Sequence, residues 1–354
     1  MFIRSSGASL AILVGLLGCA GAPAPEASAP VTEAAPAAAV TPSNATPVSA
    51  AAPAAPAADA ALRMLASFDA AKGGLPEGLA VRDGFAYVGF APTGQVLRLS
   101  LKDGASTPYA ELPKPVANKG FMTGLEFDGE GRLYAAMASF VDKPEAGIYR
   151  VGADGKTSLF AKHEKMKFPN GIALDGHGSL FVTDSGSGGV FKVSPSGSAT
   201  VWSSGELLKG DKDYCGKGVG ASFDIGANGI ARIGGNLYVA NNDRATIVRI
   251  PIEGDGSAGP ASVFAGPDCA NLGGADGLTA DASGNLILAT NRLNRILRIT
   301  SSAKIEPLAE GGELDFPASV AFSGSKLIAT NFALFNAMSG KPGRPGLIEL
   351  PYAR

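Results

Sequence analysis

The chain has 354 residues and a formal net charge of −2, with 18% charged residues and 48 glycines. This near-neutral balance gives no electrostatic reason to expect nucleic acid or an anionic membrane surface as a partner. The only histidines are His163 and His177, which argues against a histidine-based zinc site and against a Ser-His-Asp triad. Abundant glycine with few charges is typical of many short strands joined by tight turns.

The first feature along the chain is an apolar run at residues 10–17, which follows Arg4 and leads into Gly18-Cys19. The run is too short to span a membrane and has the charged start of an export signal. It resembles a bacterial lipoprotein signal, which implies that residues 1–18 are a signal peptide and that Cys19 is lipidated. The alternative is an ordinary secretory signal in which Cys19 is incidental. We therefore expect a protein of the cell envelope that meets the membrane only through a lipid anchor.

Residues 19–61 are almost wholly Ala, Pro, Ser and Thr. They have no periodic apolar face, and their prolines prevent a continuous helix. We interpret this segment as a disordered tether that holds a folded domain away from the membrane. The alternative is a specific binding segment.

A six-fold repeat fills residues 62–354. Each unit has a small polar anchor residue, usually followed by Gly and a short apolar run, then a turn and a second apolar run. The anchors recur every 43 to 58 residues, at Glu77, Thr123, Asn170, Asn228, Asp276 and Ser319. Self-similarity at this period indicates a propeller or a solenoid.

Four strands can be placed in each repeat. In the first repeat they are predicted at residues 79–82, 86–90, 96–101 and 108–112, and in the fourth at residues 230–233, 237–240, 246–251 and 261–264. Four strands per unit at this period predict an all-β, six-bladed β-propeller with antiparallel blades. The last repeat ends at its third strand, so we expect an N-terminal strand at residues 62–68 to close the ring and cover both sheet edges.

The anchor residues precede the innermost strands, so we expect all six at one mouth of the central channel. Two carboxylates and two amides there form an oxygen-only set, which favours a hard cation such as Ca²⁺ or Mg²⁺ over Zn²⁺ or Cu²⁺. The second strands return to the same rim with Asp184, Asn241, Asn242, Asn291, Arg292 and Asn331. The alternative for any single anchor is an ordinary turn signal, because Asn and Asp before Gly favour turns.

The anchors and the repeat resemble the regucalcin/gluconolactonase/luciferin-regenerating-enzyme family from about residue 62 to the end. This resemblance implies a divalent cation held by Glu77, Asn228 and Asp276. Ca²⁺ is the first choice, and Mg²⁺, Mn²⁺ and Zn²⁺ are the alternatives. Asn170 matches a family Asn that contacts substrate or metal-bound water, although Gly171 replaces the Asp that follows it in the family.

The resemblance also implies hydrolysis of a small-molecule lactone or related ester. The cation would polarise the carbonyl and activate water, and Asp276 would be the catalytic base. Asn170, Asp184, Asn241, Asn291 and Arg292 are the expected substrate-binding residues. The alternative function is a non-enzymatic scaffold that binds a cell-envelope partner, since propellers support many functions. We expect a monomer in either case.

Two further cysteines, Cys215 and Cys269, lie in the loops that lead to Asn228 and Asp276. Export would place them in an oxidising compartment, so we expect a disulfide between the fourth- and fifth-blade loops. The alternative is two separate buried thiols.

Overall fold

A computed structural model describes residues 62–152, 154–216 and 221–352. The predicted signal peptide, the lipidation site Cys19 and the predicted tether lie outside these residues. In the described part of the chain, no helix is both long enough and apolar enough to cross a membrane.

Six four-stranded antiparallel sheets form the blades of a β-propeller, as the repeat predicts. Blade 1 contains β2 (Pro76–Arg82), β3 (Phe85–Phe90), β4 (Gln95–Ser100) and β5 (Ser106–Glu111). Blade 2 contains β6 (Gly120–Phe127), β7 (Leu133–Ser139), β8 (Gly147–Val151) and β9 (Thr157–Ala161). Blade 3 contains β10 (Pro169–Leu174), β11 (Leu180–Asp184), β12 (Gly189–Val193) and β13 (Ala199–Ser204).

The second half of the ring repeats the pattern. Blade 4 contains β14 (Ala227–Ile233), β15 (Asn236–Asn241), β16 (Thr246–Pro251) and β17 (Ser262–Ala265). Blade 5 contains β18 (Ala275–Ala280), β19 (Leu286–Thr290), β20 (Arg295–Ile299) and β21 (Ile305–Glu310). Blade 6 contains β22 (Pro317–Ser323), β23 (Lys326–Asn331), β24 (Gly346–Pro351) and, as its outer strand, β1 (Arg63–Ser67). Within the described ranges, three short helices span Ala70–Lys72, Cys269–Leu272 and Leu334–Met338.

The ring closes through β1, as predicted. This strand pairs antiparallel with β24, with Arg63 opposite Glu349 and Ser67 opposite Gly346. The Glu349 carboxylate accepts hydrogen bonds from Arg63 at 3.0 Å and from Lys326 at 2.9 Å, so one buried acid joins three strands. Around the centre, each innermost strand contacts those of both neighbouring blades, and β22 of the last blade contacts β2 of the first.

The hydrophobic core is divided among the interfaces between blades. One cluster joins Tyr134 and Ile148 of blade 2 to Ile172 and Phe191 of blade 3, and equivalent clusters occupy the other five interfaces. Both faces of each sheet are therefore buried against neighbours, which is why the strands read as apolar runs. A blade removed from the ring would expose these faces to water.

The innermost strands begin earlier than predicted. They start at Pro76 in blade 1 and at Ala227 in blade 4, rather than at residues 79 and 230. The anchor residues are therefore the second residues of these strands in both blades. A β-bulge follows, since the register shifts between Ala227 and Ile230, and this irregularity hides the true start of the strand from a search for alternating residues.

The predicted anchor of blade 6 is wrong by one residue. Pro317 pairs with Asn331 and Val320 with Ala329, just as Pro169 pairs with Asp184 and Ile172 with Val182 in blade 3. Ala318 therefore occupies the position of Asn170, and Ser319 occupies that of Gly171. The error arose because this blade lacks the Gly that marks the position in the other five.

Candidate functional site

The six anchor positions form a ring at one end of the central channel. Their side chains are those of Glu77, Thr123, Asn170, Asn228, Asp276 and Ala318, all buried. The four residues predicted to carry metal or substrate chemistry from these positions, Glu77, Asn170, Asn228 and Asp276, thus belong to one layer of the structure.

The Gly that follows the anchor in blades 1 to 5 lets neighbouring inner strands approach closely. A Cβ atom on Gly229 would lie 2.0 Å from the carbonyl oxygen of Asp276, and one on Gly78 would lie 2.3 Å from that of Thr123. Both contacts are with backbone, which cannot move aside as a flexible side chain would. The polar-Gly pattern therefore has a packing cause in this ring in addition to any role in chemistry.

Two side chains of this ring, Glu77 and Asp276, are buried carboxylates. Burial raises the pKa of Asp276 to about 7, while the amides of Asn291 and Asn228 and the charge of Arg292 oppose that rise. The pKa of Glu77 is also raised well above its ordinary value, first by burial and then by the charge of Asp276. Blade 6 lies between their two blades and contributes only the methyl group of Ala318, so no ionisable anchor side chain separates the two acids.

Three buried oxygen atoms at this site lack a hydrogen-bond partner. They are Glu77 Oε2, Asn228 Oδ1 and Asn291 Oδ1, and they are the only such side-chain oxygens in residues 62–152, 154–216 and 221–352. Asn291 also donates from Nδ2 to Asp276 Oδ2 at 2.8 Å. Unpaired buried acceptors are costly, and their concentration beside two carboxylates fits a cation that would satisfy them.

The side chains available at this ring exclude some kinds of metal site. Within the described ranges, no three or more His, Cys, Asp or Glu side chains are grouped so as to hold a metal ion. A cation at this ring would therefore depend on the amide oxygens as well as on Glu77 and Asp276. That composition fits a hard cation and does not fit a site built from imidazole or thiolate ligands.

A second tier of polar residues supports the ring. It consists of Ser185, Asn242 and Asn291, each in blades 3, 4 and 5 just beyond the end of the second strand. Ser185 accepts from Asn170 Nδ2 at 3.3 Å and donates to the carbonyl of Ala227 at 2.8 Å. Asn242 donates to the carbonyl of Ala275 at 3.2 Å. Ser185 and Asn242 thus join blades 3 and 4 to the residue before the next anchor, whereas Asn291 donates to Asp276 of its own blade. Ser185 could not be found from the sequence because a lone serine carries no chemical signature.

The residues one position before this second tier, at the ends of the second strands, bond to the backbone of neighbouring loops. Asp184 accepts from the backbone N–H of Phe168 and of Ser187, both at 2.7 Å. Asn241 donates to the carbonyls of Leu207 and Lys209. Asn331 has the same role in blade 6, where Nδ2 donates to the carbonyls of Glu313 and Arg344. The structure therefore assigns loop contacts to Asp184 and Asn241, whereas Asn170 and Asn291 contact the ring and its second tier.

Arg292 is anchored beside the ring by neighbours on blade 4. Its Nη2 donates to Asn242 Oδ1 at 2.7 Å and pairs with Asp243 at 3.2 Å, and both charged side chains are buried. The guanidinium charge lowers the pKa of Asp276. Arg292 therefore acts on Asp276 through its positive charge. Asp243 was missed because its partner, Arg292, is 49 residues away in the sequence.

The central channel beneath the ring encloses a cavity of about 380 Å³. All six innermost strands line it, with Asn170 and Asp276 at one end and Arg232 among the other lining residues. Glu126 also faces this cavity, and burial raises its pKa to about 7. The corresponding position is Ala80 in blade 1 and Thr279 in blade 5, and Glu126 is the only acid among the six. No sequence motif marks it.

Cys215 and Cys269 form the predicted disulfide, with their Cα atoms 5.5 Å apart. Cys269 opens the short helix Cys269–Leu272, whose end lies close to the start of β18 and Asp276. The bridge therefore ties the loop before blade 4 to the loop before blade 5, next to the candidate site.

No protein-family model matches this chain, and no curated protein is similar enough in sequence to count as a relative. Solved structures do match. Regucalcin from Agrobacterium tumefaciens, a calcium-binding protein, is 18% identical with a TM-score of 0.59, and the match covers 83% of this chain and 97% of that one. A gluconolactonase from Xanthomonas campestris is 19% identical with a TM-score of 0.59, covering 84% of this chain and 90% of that one.

The fold is shared more widely. A virginiamycin B lyase from Staphylococcus aureus is 19% identical with a TM-score of 0.52, covering 77% of this chain and 82% of that one. A luciferin-regenerating enzyme matches with a TM-score of 0.57. The fold that the resemblance implied is therefore confirmed, and likeness at these identities carries the fold alone.

Proposed function

We propose that this protein hydrolyses a small lactone or related ester at the ring of anchor residues. The observation that carries the proposal is the set of three unpaired buried oxygens beside Asp276. A purely structural channel would gain nothing from keeping buried acceptors without partners. The reactions named for the gluconolactonase and the calcium binding named for regucalcin, which share the fold, support this class of function.

Glu77, Asn228 and Asp276 are the residues that would hold a divalent cation, Ca²⁺ first among them. When bound, such an ion supplies Lewis acidity to a carbonyl oxygen and positive charge to a developing oxyanion. It would also offset the cost of burying Glu77 and Asp276 together, which now appears as a raised pKa at both carboxyls.

The side chains at the ring have separate roles in the proposed reaction. Asp276 takes a proton from the attacking water and returns it to the leaving alcohol oxygen. Asn291 fixes the orientation of that carboxylate through its bond to Oδ2. Asn170, held by Ser185, orients the substrate, and Arg292 contributes a fixed positive field. Burial of the ring limits competing water.

A lactone panel tests the proposal. We expect the wild-type protein with added Ca²⁺ to hydrolyse at least one lactone, and Asp276→Asn to lose about 100-fold or more of that rate. Asp142→Asn, at an exposed carboxylate, is the matched control and should keep full activity. Calorimetric Ca²⁺ binding by wild-type protein and its loss in Glu77→Gln give a second readout. Full activity in Asp276→Asn would refute the assigned base.

We also propose that the protein is a monomer of the cell envelope, held by a lipid on Cys19. The support for the lipid anchor is the sequence of residues 10–19. Metabolic labelling with palmitate should mark the wild-type protein and leave Cys19→Ser unmarked. Equal labelling of both would contradict the anchor.

A further inference from the structure

Four phenylalanine rings pack together beside the channel mouth; we call Phe121, Phe140, Phe168 and Phe223 the phenylalanine wall. Phe168 is the base of the wall, and its ring centre lies 5.0 Å from that of Phe121, 6.1 Å from that of Phe140 and 6.2 Å from that of Phe223. These rings come from blades 2 and 3 and from the loop before blade 4, so the contact is formed only by the fold.

The wall lies on the same face as the anchor residues. Phe121 and Phe168 each come two residues before an anchor, Thr123 and Asn170 respectively, while Phe140 directly follows the second strand of blade 2. The carbonyl of Phe168 accepts from the N–H of Ser185, whose hydroxyl contacts Asn170. The wall is therefore joined to the ring through one residue.

Two members of the wall are open to solvent. Phe140 is 50% exposed and Phe223 is 45% exposed, whereas Phe168 beneath them is 4% exposed. A group of exposed aromatic side chains packed on a buried one indicates a binding surface. Single exposed apolar residues are common on protein surfaces and would not be packed together in this way.

A second aromatic group continues the apolar surface across blade 6. Phe316 packs on Phe335 at 4.5 Å, and Phe335 is 43% exposed. Phe121 of the wall packs against the cluster that contains Phe316 and Ala318. The exposed aromatic side chains at the mouth thus come from blades 2 and 6 and from the loop before blade 4, whereas the buried polar side chains Asn242 and Arg292 lie on blades 4 and 5.

We propose that the substrate is a lactone or ester that carries a large alkyl or aryl group, with its carbonyl at the ring and its apolar group on the phenylalanine wall. This inference rests on the proposed hydrolytic function. A polyhydroxylated sugar lactone would lose hydrogen bonds to water against phenyl rings that offer none in return. An alkyl or aryl group gains by leaving water there, at about fourfold in affinity for each fully buried methylene.

Binding of hydrolysis-resistant lactams separates substrate class from activity. We expect the affinity of γ-lactams with C2, C6 and C10 side chains to rise with chain length, by about two- to fourfold per methylene. Phe140→Ser combined with Phe223→Ser should reduce the affinity for the C10 lactam at least tenfold. Val201→Ser combined with Val263→Ser is the matched control, because both valines are 41% exposed on outer strands. It should bind as the wild type does.

Each outcome has a distinct meaning. Affinity that is independent of chain length, or unchanged in the double Phe variant, overturns the inference. Chain-length-dependent binding without hydrolysis of any lactone supports the apolar site and contradicts the proposed function. Hydrolysis that favours sugar lactones and is unaffected by the Phe substitutions supports the function and overturns this inference.

Discussion

Replacing Glu126 with glutamine measures what it costs to keep an acid in the channel. Burial raises the pKa of Glu126 from 4.5 to about 7, against the effect of a 3.0 Å hydrogen bond from the N–H of Phe127. The folded protein therefore binds this proton more tightly than the unfolded chain does, and the free energy of unfolding falls as the pH rises from about 4.5 to about 7. The full difference in pKa corresponds to about 3 kcal/mol. Because the side chain is partly open to the cavity, we expect about 1–3 kcal/mol.

Urea denaturation at pH 5 and pH 8 provides the measurement. At pH 8, Glu126→Gln should be more stable than the wild type by that amount, since the amide carries no charge to bury. At pH 5 the gain should fall to about a quarter of that amount, because pH 5 lies well below the folded pKa of about 7 and only slightly above the unfolded value of 4.5. Glu164→Gln, at an exposed glutamate, should change the stability at neither pH. A gain of equal size at both pH values would refute the reasoning.

Three further predictions concern the stability of the propeller. Deletion of residues 62–68 leaves the outer edge of β24 unpaired, so we expect aggregation or non-cooperative melting, and cooperative unfolding of the deleted chain would contradict the importance of closure. Reduction of the Cys215–Cys269 bridge, which spans 54 residues, should lower the free energy of unfolding by up to about 4 kcal/mol; an unchanged urea midpoint after reduction would count against it. Gly229→Ala places a Cβ against the carbonyl of Asp276 and should destabilise the protein by about 1–3 kcal/mol, whereas Gly235→Ala, where a Cβ meets no neighbouring atom within 4 Å, should not. Equal stability of the two glycine variants in urea would show that the ring tolerates the added atom.

The architecture could be predicted because each blade repeats one hydrophobic pattern at a nearly constant period. Blade count, strand order and closure by an N-terminal strand all follow from that pattern, and the structure confirms them. The start of each inner strand could not be predicted as well, because a β-bulge breaks alternation at the anchor. In blade 6 the missing Gly shifted the prediction from Ala318 to Ser319.

The sequence predicts which residues lie at the candidate site wherever their position in the repeat determines this. It does not predict which hydrogen-bond partners their side chains take. Glu77, Asn228 and Asp276 occupy equivalent positions, so the period alone brings them together. Asp184 and Asn241 also have the right phase, yet their side chains bond to loop backbone instead. That choice depends on loops whose paths the sequence pattern does not encode.

The phenylalanine wall illustrates the same limit. Its four rings are separated by up to about a hundred residues and come from different loops and strands. Phe121 and Phe168 recur two residues before an anchor, but Phe140 and Phe223 lie outside the repeat. A period-based search cannot find residues that only tertiary packing brings together.

Closure through β1 also sets the order of events during synthesis. The first strand must wait for a partner whose residues lie 286 positions further along the chain, which is the kind of long-range pairing that forms slowly. Blades 1 to 5 can stack as they emerge, but Glu77 and Asp276 are brought together only when blade 6 fills the gap between them. Acquisition of cation affinity during refolding should therefore report the final step of assembly and lag behind the burial of the blade interfaces.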